Sequence, residues 1–92
     1  MRYAQSKEVV ARQIEGETIL TPIRRGARDV NSVYTLNPVA TVLWQYMAQS
    51  HSVPEMVERI CSEFEVTPGQ AKGDVEEFIS SLLEQNLIHG TN

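Results

Sequence analysis

The polar and apolar positions divide the chain into two kinds of pattern. Glu8–Ile14 (EVVARQI) alternates imperfectly, with Val9 and Ala11 set against Val10 and Arg12, and reads as a first strand. Glu15-Gly16 follows, and glycine accepts positive φ without a Cβ clash, so the pair supplies turn chemistry. Glu17–Ile23 (ETILTPI) is β-branched and apolar, which suits a second strand. Pro22 has no N–H to donate and is expected at that strand's end or on an edge. Arg24–Ser32 (RRGARDVNS) is polar and contains Gly26 and Asn31, so it reads as a loop. Val33–Leu36 (VYTL) is a short third strand, and the simplest arrangement is an antiparallel three-stranded meander.

From Asn37 onward the spacing becomes helical. Asn37-Pro38 places a cap and then a proline at the first turn. The helix runs to about Gln49, with Leu36, Ala40, Leu43 and Met47 on one stripe and Val39 and Trp44 beside it. Ser52-Val-Pro-Glu55 has capping-box spacing, and Val53, Met56, Val57, Ile60, Cys61 and Phe64 follow at intervals of three and four. Thr67-Pro-Gly-Gln70 repeats the cap and opens a third helix carrying Ala71, Val75, Phe78, Ile79, Leu82 and Leu83. Asn86 is expected to end it, since asparagine tolerates the left-handed cap position. Leu87 and Ile88 are then expected to fold back as a short extended tail. The order β-β-β-α-α-α, with strands and helices segregated, predicts an α+β fold with winged-helix character.

Composition narrows the picture. The 92 residues suffice for a single domain, residues 1–92 with a core over about 8–89, in which folding buries roughly 60–65% of the unfolded surface. No apolar run approaches the roughly 20 residues of a membrane span. Met1–Lys7 has no apolar stretch after its charge and is not expected to act as a signal peptide. One cysteine, Cys61, leaves no internal disulfide framework, and a cytoplasmic location is expected. The net charge of −4 is unevenly spread: residues 1–35 carry six Lys/Arg and four Asp/Glu, residues 36–92 two and eight. A nucleic-acid surface needs clustered cations to displace counterions, so the acidic helical part argues against DNA.

Catalytic constellations are missing from the pattern. Cys61 lies on the apolar stripe of the second helix and reads as a small buried hydrophobe. His51, in the turn between helices, and His89, in the tail, read as surface residues and make a poor metal set with one buried cysteine. Glu76-Glu77 are helix neighbours that point in different directions. The scattered glycines match neither nucleotide-binding pattern, so no enzyme activity, cofactor or metal is expected. Gly73, inside the third helix, costs about 1 kcal/mol relative to alanine, and is explained either by close packing or by room for a ligand backbone. Trp44 reads as core. Arg24, Arg25 and Arg28 form the densest basic group, either a solvated loop or a contact for an acidic partner.

Three segments taken together resemble the PqqD family, whose fold is also called the RiPP recognition element. They are the strand-rich opening KEVVARQIEGETIL, the junction YTLNPVATVLWQYM, and the closing VPEMVERICSEFEVTPGQAKGDVEEFISSLLEQNLI. Within the junction, Tyr34, Leu36-Asn37 and Trp44 match the family's aromatic, its Leu-Asn and its helical tryptophan; Asp74-Val75 through Phe78 to Leu82-Leu83 fits its third helix. The resemblance covers roughly residues 8–89. It departs at RRGARDVNS, where the family often has a short acidic-glycine turn.

The resemblance implies a non-catalytic chaperone that holds the leader of a ribosomally made precursor peptide and presents it to a modifying enzyme, often a radical-SAM enzyme, in PQQ-type or other RiPP biosynthesis. It implies a leader added as a strand to the third strand, with the third helix as the facing wall. Ser32, Val33, Tyr34 and Thr35 would then offer the edge. Ala71, Asp74, Val75 and Phe78 would line the helical wall, Gly73 would ease close approach, and Asp74 would set register against a basic leader residue. Two alternatives stand beside this reading. A winged-helix DNA-binding regulator would need a basic recognition helix, whereas the third helix has Lys72 against Asp74, Glu76, Glu77 and Glu84. A self-associating structural subunit would form a homodimer by pairing the exposed third-strand edge with another copy.

Overall fold

The computed structural model describes residues 1–23 and 33–91. The elements are β1 (Arg2–Gln5), β2 (Val9–Ile14), β3 (Glu17–Pro22), β4 (Tyr34–Leu36), α1 (Pro38–Tyr46), β5 (His51–Ser52), α2 (Val53–Glu63), α3 (Pro68–Glu84) and β6 (Ile88–Thr91). The expected meander is present as the antiparallel sheet β2-β3-β4. Its first connection is a two-residue hairpin, with Glu15 at φ 51° and Gly16 at φ 83°. Both residues at positive φ is the geometry whose twist matches the flanking strands.

Hydrogen-bond parity orients every strand in this sheet. The Ile23 N–H donates to the Glu8 carbonyl at 2.8 Å, so residues 10, 12 and 14 of β2 bond to 21, 19 and 17 of β3. Thr18 and Leu20 therefore direct their backbone groups at β4, where they face Leu36 and Tyr34. Pro22 would come next on that side, but it has no donor to offer.

A second antiparallel sheet, ordered β5-β1-β6, corrects the expectation of a single sheet. Its strands come from three distant parts of the chain: the amino-terminal segment, the α1–α2 junction and the tail after α3. Arg2–Gln5 pairs along its whole length with Ile88–Thr91, and Arg2 and Tyr3 also face Ser52 and His51. The Arg2 guanidinium donates to the Ser50 carbonyl at 2.7 Å and lies 3.3 Å from the Glu55 carboxylate.

α1 ends at Tyr46 rather than near Gln49, because β1 takes over its last carbonyls. Gln5 donates through its amide side chain to the Trp44 carbonyl at 2.6 Å and through its backbone N–H to the Met47 carbonyl at 2.9 Å. These bonds satisfy acceptors that a helix end leaves open.

The caps follow the sequence. The Asn37 side chain accepts from the Ala40 N–H, and Ser52–Glu55 and Thr67–Gln70 form complete capping boxes. Asn86, at φ 60°, closes α3 with the Leu87 N–H on the Leu82 carbonyl at 3.0 Å and the Asn86 N–H on the Leu83 carbonyl at 3.1 Å. This double bond is a Schellman motif, and the accompanying contact between the third-last helical residue and the one after the left-handed residue falls on Leu82 and Leu87, both buried.

The core joins both sheets and all three helices, through Leu20, Leu36, Leu43, Trp44, Met47, Met56, Ile60, Val75, Leu82 and Ile88 among others. Trp44 is buried as expected. Cys61 is half-buried and packs against this core. His51 departs from the surface reading: its ring stacks on Tyr46 with centroids 3.6 Å apart. Among the described residues, no helix is long and apolar enough to cross a membrane.

Candidate functional site

The sheet β2-β3-β4 ends on β4. Tyr34 and Leu36 spend their backbone groups on β3, so the N–H and C=O of Thr35 point away from the sheet. What lies beside that edge is a groove of about 410 Å³, within the size range of ligand clefts. Its first wall is β4 itself, Tyr34, Thr35 and Leu36, and its floor is the first half of α1, with Val39, Ala40 and Leu43. The Asn37 cap and Pro38 make this possible: they turn the chain from strand to helix within one residue, which tucks α1 under the strand it follows.

The second wall is α3, which presents Asp74, Glu77, Phe78, Ser81 and Leu82 to the groove. These recur at three- and four-residue steps and form one face of the helix. The adjoining face, Ala71, Val75, Ile79 and Leu82, faces the core, and Leu82 belongs to both. Asp74, Glu77 and Ser81 are exposed, Phe78 is half-buried, and Leu36, Leu43 and Leu82 are buried. The groove therefore has an apolar bottom, an acidic shoulder on the helix side and a backbone edge on the strand side.

The structure brings together four residues of the sequence-derived set, Tyr34, Thr35, Asp74 and Phe78. Val33 stands next to them at the start of the edge, 55% exposed. Ala71 and Val75 are fully buried and support the helical wall from the core side instead of lining it. Gly73 is exposed, and a Cβ there would meet nothing within 4 Å. It is neither closely packed, as one of the two expectations had it, nor part of the groove lining. Ser32, Arg24, Arg25 and Arg28 lie outside the described residues.

Sequence reasoning missed the floor and three of the five residues of the helical wall. Val39, Ala40 and Leu43 read as core from their stripe, and only the approach of α3 shows that one side of that stripe stays open. Glu77, Ser81 and Leu82 were legible in principle, since they continue the Asp74–Phe78 face at helical spacing.

β2 is the sheet's other edge and differs in its surroundings. From Val10 to Ile14 it is exposed on both faces, and it carries Arg12, the kind of charge that protects an edge strand from pairing. Among the described residues, no group of three His, Cys, Asp or Glu side chains could hold a metal ion. Among the described residues, an electrostatic perturbation lies at Glu55, away from the groove. The Ser52 backbone N–H holds its carboxyl below the ordinary glutamate value of 4.5, aided by His51 and Arg2 and opposed by desolvation.

No curated protein matches the chain. Two solved structures share its fold. One is TbiB1 in complex with the TbiA(beta) leader peptide, at 22% identity and a TM-score of 0.79, covering 97% of this chain and 98% of that one. The other is a lasso peptide synthetase B1 complexed with the leader peptide, at 21% identity and a TM-score of 0.79, covering 98% and 100%. The model of the family described as coenzyme PQQ synthesis protein D (PqqD) matches residues 15–88, from the β2–β3 turn to the start of β6, and the chain therefore belongs to the PqqD family.

Proposed function

We propose that this chain is a non-catalytic peptide-binding adaptor. It holds the leader of a ribosomally made precursor as an added strand on β4 and presents the rest of the precursor to a separate modifying enzyme. The observation that carries this reading is the outward-facing backbone of Thr35 beside an apolar-floored groove. β-Augmentation requires that pairing: unsatisfied main-chain groups supply affinity, and pockets for alternate side chains supply specificity. Two proteins of the same fold are known in complex with leader peptides, which supports the class of ligand. The enzyme served is a peptide-modifying one, a radical-SAM enzyme where the pathway is of the PQQ type, and the meeting takes place in the cytoplasm where the precursor is made. The acidic α3 wall repels phosphate and disfavours a nucleic-acid ligand.

The test is selection of a displayed library of random ten-residue peptides on the chain, followed by amide NMR titration with a selected peptide. Resonances of Val33–Leu36 and of Asp74–Leu82 are expected to shift together. Binding that leaves both segments unmoved sinks the groove reading.

A further inference from the structure

Among the described residues, the acidic shoulder of the groove has no structural partner. Asp74 and Glu77 both line the cavity, and among the described residues neither forms an ion pair; the pairs present join Glu55 to Arg2 and His51, and Glu63 to Arg59. Helix-end electrostatics do not account for them either. Carboxylates favour the first turn of a helix, near its positive end, but α3 has none in its first turn, and Asp74 and Glu77 lie in its middle. They are instead three residues apart on one face, a like-charge spacing that costs a helix a few tenths of a kcal/mol. Among the described residues, the fold thus tolerates a small repulsion at the groove and leaves it uncompensated.

We propose that the groove selects a basic side chain in its ligand: a peptide strand in which Lys or Arg stands two positions from a large apolar residue, the cation between Asp74 and Glu77 and the apolar group against Phe78 and Leu82. This rests on the β-augmentation reading above and adds the ligand's pattern. The spacing follows from the two periodicities. Along α3 the acidic pair and the apolar pair are centred about 7 Å apart at 1.5 Å per residue. In a strand lying along the groove, side chains on the same face are about 6.7 Å apart. Successive groove-facing residues of a bound strand therefore meet first one pair and then the other. The ligand cation also relieves the repulsion between the carboxylates, so the specificity comes with a gain in the helix.

The experiment is the same ten-residue display library, selected in parallel on the native chain and on an Asp74→Lys/Glu77→Lys variant. Circular dichroism checks that the variant, altered only at exposed positions, is folded; Asp74→Asn/Glu77→Gln serves as a second variant if the reversal is not. Peptides selected on the native chain are expected to be enriched in Lys or Arg two positions from Leu, Ile or Phe. Replacing that basic residue by Glu in a selected peptide is expected to weaken binding about tenfold. The reversed variant is expected to enrich acidic residues at the same place, and the neutral variant to lose the preference. Selected peptides that shift the β4 and α3 resonances without basic enrichment, or with the same enrichment on both chains, overturn the charge rule and leave the groove reading standing. A native chain that selects no binder, or binders that shift neither segment, overturns the groove reading and this inference with it.

Discussion

Replacing Thr35 with proline isolates the backbone contribution to the proposed binding. Thr35 is the β4 residue whose N–H points away from β3, since its neighbours Tyr34 and Leu36 face Leu20 and Thr18 in the register. Proline there removes no bond inside the sheet. It fixes φ near −65° and restricts the preceding residue to extended conformations, which Tyr34 in β4 already adopts. Edge strands tolerate proline when the lost donor faces outward, so the cost in stability is about 1 kcal/mol or less. The cost in binding is larger. A peptide carbonyl that would accept from Thr35 is left desolvated without a donor, a loss of about 1–3 kcal/mol, or roughly 5- to 150-fold in Kd. Thr35→Val retains the N–H and should bind within about twofold of the native chain. Fluorescence anisotropy with a library-selected peptide measures both variants, with thermal unfolding as the control for folding. An ester bond in place of the amide at position 35, introduced by chemical ligation, removes the same N–H without the proline ring if the proline variant proves unfolded. Unchanged affinity in a folded Thr35→Pro chain refutes strand addition at this edge.

Three further outcomes test how the scaffold holds the site. Gly73→Ala, in open space on the middle of α3, should stabilise the chain by about 0.5–1 kcal/mol, a rise of a few degrees in Tm, with peptide affinity unchanged; a loss of affinity would mean that a ligand backbone approaches there after all. Asn86→Ala removes, at φ 60°, the short polar side chain that lets asparagine tolerate the left-handed region, and should lower stability by about 1 kcal/mol, whereas Asn86→Gly should not; urea midpoints separate the two. Because the Ser52 N–H, His51 and Arg2 hold the Glu55 carboxyl below 4.5, its contribution to stability is complete above that pH and is lost as pH falls through the depressed folded value. Urea titrations from pH 7 to strongly acid conditions should show a steeper acid loss in the native chain than in Glu55→Gln, which can still cap α2, and parallel curves would contradict the assignment.

The local code of the sequence determined the first sheet, the three helices with their starts, and the end of α3. Gly16 specifies a tight turn, Pro22 limits how far β3 can pair, and Asn37, Ser52, Thr67 and Asn86 satisfy or terminate helix backbone through bonds to residues a few positions away. Such interactions are short in sequence and so are visible as spacing. The face of α3 that carries Asp74 and Phe78 and the edge of β4 were singled out by the family resemblance, not by spacing alone.

Beyond the extended tail expected at Leu87 and Ile88, the second sheet was not legible. Its three strands are two to four residues long, and their pairing partners lie tens of residues apart. Nothing in RYAQ or HS announces a strand until the chain ends and the α1–α2 junction meet. The same holds for the stop of α1, which depends on Gln5 reaching the Trp44 and Met47 carbonyls.

At the groove, the sequence reading named residues of the helix and strand that wall it but could not say which of them faced the gap. Ala71 and Val75 were one step around the helix from the groove, and Val39, Ala40 and Leu43 became its floor only because α3 stands off from α1 at that point. Periodicity tells which residues share a face of one element. Which faces remain apart, and so leave a groove, depends on how several elements pack at once, and the tertiary structure alone decides that.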